Sequence, residues 1–183
     1  MIGQLPKALQ VGEKSFPIRS DYRVALLIFE AFDDPDLNDT EKMLVCLNCL
    51  YETIPDDVAA AYERAVWFLD GGDTVRHKQY RHKVIDWKQD ESMLFAAVNR
   101  VAGTETRSAE YLHWWTFLGY FSCISECLYA DVLSLRAKRA KGKKLEKHER
   151  EFIRENKEII DITPRLSAEE LAEVERLKAI LGE

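Results

Sequence analysis

Four cysteines are the first residues of this sequence whose type and spacing indicate chemistry. Cys46 and Cys49 have the two-residue spacing of zinc and redox sites, and Cys123 with Cys127 could complete a set of four ligands. Structural zinc pairs usually lie on tight turns, whereas the first pair falls inside an apolar stretch of helical periodicity. Free cysteine is also among the most often buried residue types. We therefore expect buried thiols that bind no metal.

A second candidate metal site is the pair Glu110 and His113, which has the Glu-x-x-His spacing of di-iron helices. A bundle site of that kind needs a second such pair and two further carboxylates, and the chain contains no second Glu-x-x-His. We expect His113 to form local hydrogen bonds near the aromatic residues that follow it. A helical-bundle metalloprotein that uses Glu110, His113 and other carboxylates is the weaker alternative.

Other motifs of catalysis or cofactor binding do not occur. The sequence has neither the Gly-x-x-x-x-Gly-Lys loop of nucleotide-binding proteins nor the Gly-x-Ser-x-Gly turn of hydrolases. His77 and His82 lie in a basic stretch that could hold a phosphate, although a solvated loop is the simpler interpretation. We expect a binding or assembly protein without a cofactor, not an enzyme.

A basic run begins at residue 136 and is the best candidate for contact with nucleic acid. Lysine and arginine bind the phosphate backbone without regard to sequence, whereas specific recognition also needs base-reading or stacking residues. Residues 136–144 contain no aromatic residue and no Asn or Gln, and the chain has a formal net charge of -6. A nucleic-acid-binding accessory protein that uses residues 136–150 is therefore an alternative that we do not favour. The cations of this predicted basic patch are Arg136, Lys138, Arg139, Lys141, Lys143 and Lys144.

Charge is distributed unevenly along the chain. Residues 21–73 contain thirteen acids and three bases, whereas residues 136–150 contain eight bases and two acids. Such asymmetry is typical either of solvated helix faces or of an interaction surface. We expect self-association in which the acidic part of one copy meets the basic part of the next.

The densest aromatic segment contains the predicted partner-binding residues Trp114, Trp115, Phe117 and Phe121. A helix this rich in aromatic residues is usually part of a core. Adjacent residues, however, project about 100° apart on a helix. One core face is therefore not expected to absorb both tryptophans, and one of them is expected to face a partner.

The periodicity of apolar residues predicts an all-α protein, a bundle of about seven or eight helices with a small N-terminal β-hairpin at residues 8–18. Residues 1–160 are expected to form one helical domain, and residues 161–183 a C-terminal helical appendage of open role. No apolar run approaches the roughly 20 residues that cross a bilayer. The first ten residues lack the apolar centre of a signal peptide, so we expect a cytoplasmic protein.

Capping residues predict where several helices begin. Asp86 is expected to cap a helix that starts at the next residue, and Ser108 to cap the aromatic helix. A single helix is expected over residues 144–160. Ser167 and Glu170 have the spacing of a capping box before the last helix.

Several short strings, taken in order, resemble the phage "gene product fifteen" family, found in phages and prophages of Gram-positive bacteria. The resemblance covers roughly residues 8–160, and YLHWWTF is its most specific string. A Lys-rich helix near the end, like residues 133–156, is also typical of the family. The strings are IRSDYR (18–23), LY (50–51) before IPD (54–56), WFL (67–69) before two glycines, DWKQD (86–90) and YLHWWTF (111–117).

The resemblance implies a function in the assembly of long phage tails. Members of the family are similar to tail assembly chaperones, which keep the aggregation-prone tape-measure protein soluble until the tail tube forms around it. The expected partner is therefore the tape-measure protein. The expected location is the cytoplasm of the host bacterium, with no place in the mature virion. The resemblance supplies no catalytic residue.

Overall fold

The protein is mainly helical, with one small β-hairpin at its N-terminal end, which confirms the predicted fold class. The computed structural model describes residues 3–73 and 83–181. In these ranges the elements are β1 (Ala8–Val11), β2 (Lys14–Pro17), α1 (Tyr22–Phe32), α2 (Asp39–Leu50), α3 (Val58–Leu69), α4 (Glu91–Ala102), α5 (Trp114–Ser122), α6 (Leu128–Ala140), α7 (Lys147–Glu155), α8 (Lys157–Ile160) and α9 (Ala168–Leu181), with a 3-10 turn at Thr106–Ser108.

The hairpin packs one face against the helices. Its strands are antiparallel and pair Leu9 with Phe16 and Val11 with Lys14 around a two-residue turn. Gly12 opens that turn with a φ of 60°, a conformation that glycine adopts without steric cost. Leu9 and Val11 alternate along β1 and are both buried, and β1 lies against α3. The hairpin is therefore stabilised by the helical core.

The segment that links the hairpin to α1 is inserted between two distant parts of the chain. The Arg19 N–H donates to the Leu50 carbonyl at 2.7 Å, and the Arg19 side chain donates to carbonyls at the end of α2. Further along, the Tyr22 N–H donates to the carbonyl of Leu112, and the Trp114 N–H donates to that of Ser20. These bonds fix the start of α5 beside the start of α1.

Three predicted helix boundaries were wrong. Residues 87–90 form a turn, so α4 begins only at Glu91, because the Asp86 side chain accepts from the N–H groups of that turn. Ser108 belongs to the 3-10 turn, and α5 is capped by His113 instead. The helix expected over 144–160 is interrupted at Asn156, which lies between α7 and α8.

Most of the buried side chains form one core between the hairpin and α1 to α6. A smaller cluster joins Val132 and Leu135 of α6 to Ile160, and Met93 packs against both clusters. The chain then leaves the body: along α9 only Val174 is even half-buried among the residues whose burial is described. Across the described ranges we find no helix with both the length and the hydropathy required to cross a bilayer.

Candidate partner-binding surfaces

Two of the four predicted partner-binding residues are core residues, so the expectation that they offer surface to a partner needs correction. Trp114 is 1% exposed and Phe117 is fully buried. The Phe117 ring stacks on Tyr22 with 4.7 Å between the ring centroids, and the Trp114 indole N–H donates to the Leu69 carbonyl at 2.9 Å. Both rings fill the space between α1, α3 and α4, where aromatic side chains bury a large apolar area.

The other two predicted residues are half-buried. The Trp115 indole N–H donates to the Phe68 carbonyl at 2.8 Å, and its ring lies edge-on to Trp67. Phe121 packs against Trp87 at 5.6 Å between centroids. The expectation that one core face cannot absorb both tryptophans was wrong, because both rings pack against the same core and their indole N–H groups donate to adjacent carbonyls at the end of α3. Neither Trp115 nor Phe121 is an exposed anchor, and partner binding by them stays a prediction.

His113 has a structural role at the start of α5. Its Nδ1 accepts the Trp115 N–H at 3.0 Å, so the ring proton lies on Nε2, which donates to the Pro6 carbonyl at 2.9 Å. Burial lowers the pKa of the imidazole, the bond to Pro6 opposes this, and the charge of Lys7 lowers it further. Both ring nitrogens are occupied, and Glu110 is exposed. The Glu110–His113 pair therefore does not form a metal site.

A groove between α1 and α4 combines an apolar floor with a charged rim. Its volume is about 430 Å³. Leu27 stands at its edge with 55% of its surface exposed, the largest exposed fraction among the large apolar residues outside α9 in the described ranges. Both cations and anions line the opening, and Lys88 pairs with Glu30 at 2.6 Å. The floor residues are Leu26, Trp87 and Phe95, and the charged residues that line the groove are Arg23, Glu30, Lys88, Glu91, Arg107 and Arg165.

A second, smaller apolar groove of about 380 Å³ lies between α4 and the start of α6. Met93, Ala96 and Ala97 line it on the α4 side. Leu128 lies at the other side and is 48% exposed. Its only charged lining residue in the described part of the chain is Arg100, so this groove offers less electrostatic selection than the one between α1 and α4.

Arg136, the first cation of the predicted basic patch, is buried and unavailable to phosphate, which corrects that prediction. Its guanidinium forms two parallel bonds to the Asp90 carboxylate, at 2.7 and 2.9 Å. Its remaining donor bonds go to the carbonyls of Ile159, Ile160 and Val84. All five N–H groups are thus used, which is how a buried arginine is normally stabilised.

Other cations of the patch are also engaged in ion pairs. Lys138 pairs with Glu149, and Arg139 pairs with Asp161 at 2.6 Å. Lys143 and Lys144 are exposed in the turn after α6. Lys141 is exposed and interacts within the chain as well. The patch is therefore smaller than its sequence indicates, because Arg136, Lys138 and Arg139 form ion pairs within the chain and Lys141 interacts within it as well.

A polar cleft of about 650 Å³ lies where residues 159–165 cross the end of α1 and the turn before α4. Asp86 is its buried acid and accepts bonds from Lys83 at 2.7 Å and Arg165 at 3.3 Å. Burial alone would raise the pKa of Asp86, but the Gln89 N–H, the Lys83 ammonium and the charge of Arg165 lower it to about 2. The charged groups of the cleft pair with other groups of the chain, so these ion pairs hold the segment that contains Arg165 against the turn before α4.

The cysteines do not lie together in a form that could hold zinc. Cys46 is buried and Cys49 is half-buried within α2, whereas Cys123 is exposed and Cys127 half-buried. The expectation of four buried thiols was therefore wrong for Cys123. Burial raises the pKa of Cys46 to about 12, with a smaller contribution from Cys49. In residues 3–73 and 83–181 no group of three or more potential ligands could hold a metal ion.

The basic stretch that contains His77 and most of its neighbours falls outside the described residues, as does His82. The possible phosphate site there stays a prediction. The Ser167 and Glu170 capping box is confirmed, since the Ser167 N–H donates to the Glu170 carboxylate at 2.8 Å and the Glu170 N–H donates to the Ser167 hydroxyl.

Comparison with known proteins gives the class of the molecule. A family model described as Bacteriophage Gp15 protein matches residues 1–162, which include the hairpin and helices α1 to α8. The chain is therefore a phage protein. It belongs to the Bacteriophage Gp15 family, as the strings around YLHWWTF indicated. No curated protein and no solved structure matches it. Helix α9 lies beyond the matched residues.

Proposed function

We propose that this protein is a phage tail assembly chaperone that binds the tape-measure protein and keeps it soluble in the host cytoplasm until the tail tube forms. Membership of the Bacteriophage Gp15 family is the observation that carries the proposal. The implied partner presents long apolar helices before the tube encloses it. A protein that shields such helices needs an apolar groove and a charged exterior.

The groove between α1 and α4 is the surface that fits this partner best. An amphipathic helix binds by placing its apolar face into a groove while its polar residues meet the rim. Leu26, Trp87 and Phe95 provide the apolar floor. The rim carries both signs of charge, with Arg23 and Arg107 among its cations and Glu30 and Glu91 as its acids. Leu27 is the natural anchor, because burial of its exposed surface would add to affinity.

The proposal can be tested by co-expression with the tape-measure protein of the same phage. We expect the wild-type protein to raise the soluble yield of the tape measure. Leu27→Glu places a charge at the groove edge and should abolish most of this effect. Loss of a binding hot spot costs at least about 2 kcal/mol, or roughly a 30-fold rise in Kd.

Leu44→Glu is the matched control, because Leu44 is 44% exposed on α2, away from the groove, and the change in charge is the same. Both variants should keep the wild-type thermal midpoint, since neither side chain is in the core. Equal loss of activity in both variants would contradict the role of the groove. A tape measure that is equally insoluble with and without the wild-type protein would contradict the chaperone function.

Trp115→Ala distinguishes partner binding by the aromatic residues of α5 from partner binding by the groove between α1 and α4. The indole of Trp115 is half-buried and bonded to Phe68, so its loss should lower stability. A Trp115→Ala protein that stays folded but fails to solubilise the tape measure, while Leu27→Glu is active, would move the binding surface to the other side of α5.

A further inference from the structure

The last helix is separate from the body and leaves its apolar residues in solvent. The bonds that tie its start to the body run from the Ala168 N–H to the Asp36 carboxylate, at 2.9 and 3.3 Å. Leu171 is 51% exposed, Leu177 is 49% exposed and Ile180 is 79% exposed. A helix of 14 residues is marginally stable alone in water. An exposed helix of this composition is therefore expected to gain stability from a partner.

The apolar residues of α9 lie on one half of its surface. Leu171, Val174, Leu177 and Ile180 follow one another at intervals of three, so each is rotated by about 60° from the previous one. Val174 and Leu177 are then at the centre of the stripe. Four residues of this kind form a continuous seam over about two and a half turns, of a length that a second helix could cover.

The sequence of α9 is complementary to itself when it is reversed. Residues 171–180 read LAEVERLKAI, and a two-fold axis between residues 175 and 176 relates each apolar residue to an apolar one and each acid to a base. The related pairs are Leu171 with Ile180, Ala172 with Ala179, Glu173 with Lys178, Val174 with Leu177, and Glu175 with Arg176. An antiparallel copy therefore presents apolar residues at the height of apolar residues and bases at the height of acids.

Helical geometry also places the charges correctly for this arrangement. At about 100° per residue, Glu173 and Arg176 lie towards one edge of the seam, and Glu175 and Lys178 towards the other. In an antiparallel pair the same edges of the two copies meet, so each acid lies near the base of its own edge. Antiparallel helix dipoles favour this arrangement as well.

We propose that α9 is a self-association element that pairs antiparallel with α9 of a second copy of this chain. The contact is isologous, with the same surface used by both copies, so it closes at a dimer. This differs from head-to-tail contact between the acidic and basic parts of the chain, which would produce rings or filaments. A single pair of 14-residue helices is a small interface, so the dimer is expected to form reversibly with concentration.

The test uses the full chain alone, in sedimentation equilibrium over a wide range of concentration, so its result does not depend on the tape measure. One variant makes α9 basic (Glu173→Lys with Glu175→Lys) and another makes it acidic (Arg176→Glu with Lys178→Glu). We expect each variant alone to dimerise at least tenfold more weakly than wild type. An equimolar mixture of the two should form a heterodimer, because opposite charges meet again.

Leu177→Glu should also abolish dimerisation, and Leu44→Glu is its matched control on α2, where a leucine of 44% exposure lies outside α9 and outside both apolar grooves. Thermal melts of all variants check that the body stays folded. The proposal is overturned by a wild-type chain that is monomeric at the highest concentration or that associates beyond a dimer. It is also overturned if the basic variant alone or the acidic variant alone dimerises as strongly as wild type. Failure of the mixture to associate would overturn the antiparallel arrangement.

Discussion

The two arginines Arg136 and Arg139 lie one turn apart on α6, and we predict that their loss has very different effects on stability. Arg136→Met removes the partner of the Asp90 carboxylate, which is fully buried. Breaking a buried ion pair from one side costs about 3–5 kcal/mol, because the other charge is left in a poorly solvating environment. Arg139→Met breaks the pair with Asp161, whose members are 45% and 51% exposed, and should cost about 0–1 kcal/mol.

The structure also explains why the larger figure applies at Arg136. Besides Asp90, the guanidinium satisfies the carbonyls of Ile159, Ile160 and Val84, which methionine cannot bond. The Asp90 carboxylate would keep only neutral donors, the Asp86 N–H at 3.1 Å and the Tyr129 hydroxyl at 3.5 Å. A loss of about 3–5 kcal/mol is a large share of the 5–15 kcal/mol typical of a folded domain.

Urea unfolding followed by circular dichroism measures both free energies. The double variant Asp90→Asn with Arg136→Met should be more stable than Arg136→Met alone, since it buries no unpaired charge. If Arg136→Met does not fold, Arg136→Lys keeps the charge with fewer donors, and its free energy of unfolding should be positive but smaller than that of wild type. The reasoning is refuted if Arg136→Met costs no more than Arg139→Met, or if removal of the Asp90 charge restores nothing.

Three further predictions concern a glycine, the thiols and a histidine. Gly72→Ala should cost about 2–4 kcal/mol of unfolding free energy, because its φ is 83° and a Cβ there would lie 2.7 Å from an indole carbon of Trp115. Gly142→Ala, at a φ of 64° with open space around it, should cost only about 1–2 kcal/mol. Urea unfolding of the two variants compares these costs. Cys123 is exposed and should react with a thiol reagent within minutes in the native protein. Cys46 should react only on unfolding, because the Cys46 thiol is buried and has a raised pKa. Peptide mass mapping follows the order of labelling, and labelling of Cys46 before Cys123 would contradict the burial of Cys46. The pKa of His113 is lower in the folded protein than the usual value of about 6.5, so the stability that neutral His113 contributes is complete above that pH and is lost as the pH falls from there to the folded-state pKa. His113→Asn keeps a capping side chain and should reduce this loss of stability. A variant whose stability has the same pH profile as wild type would contradict the assignment.

The helices with strong local signals were predictable from the sequence. The Ser167 and Glu170 capping box is a local feature, so neighbouring residues are enough to predict it. The start of α5 was not predictable in this way, because histidine is not among the usual capping residues. Its imidazole is held there by the carbonyl of Pro6, which is 107 positions away.

The predicted surfaces were less accurate than the helices, since exposure depends on distant partners. Nothing near Arg136 in the sequence shows that it binds Asp90, which lies 46 positions earlier. The same holds for Trp114, whose buried position depends on the carbonyl of Leu69. The groove beside Leu27 was missed because its two walls come from helices 60 or more residues apart.

The order in which the chain leaves the ribosome has a consequence for the segment between the hairpin and α1. Its backbone groups at Ser20 and Tyr22 bond to residues 112–114, so they have no native partners until more than half of the protein has been synthesised. The start of α1 therefore emerges early and completes its contacts late. Polypeptides released before α5 should leave the Tyr22 ring without the Phe117 ring that stacks on it and be degraded or aggregate, so interrupted translation yields no small folded fragment.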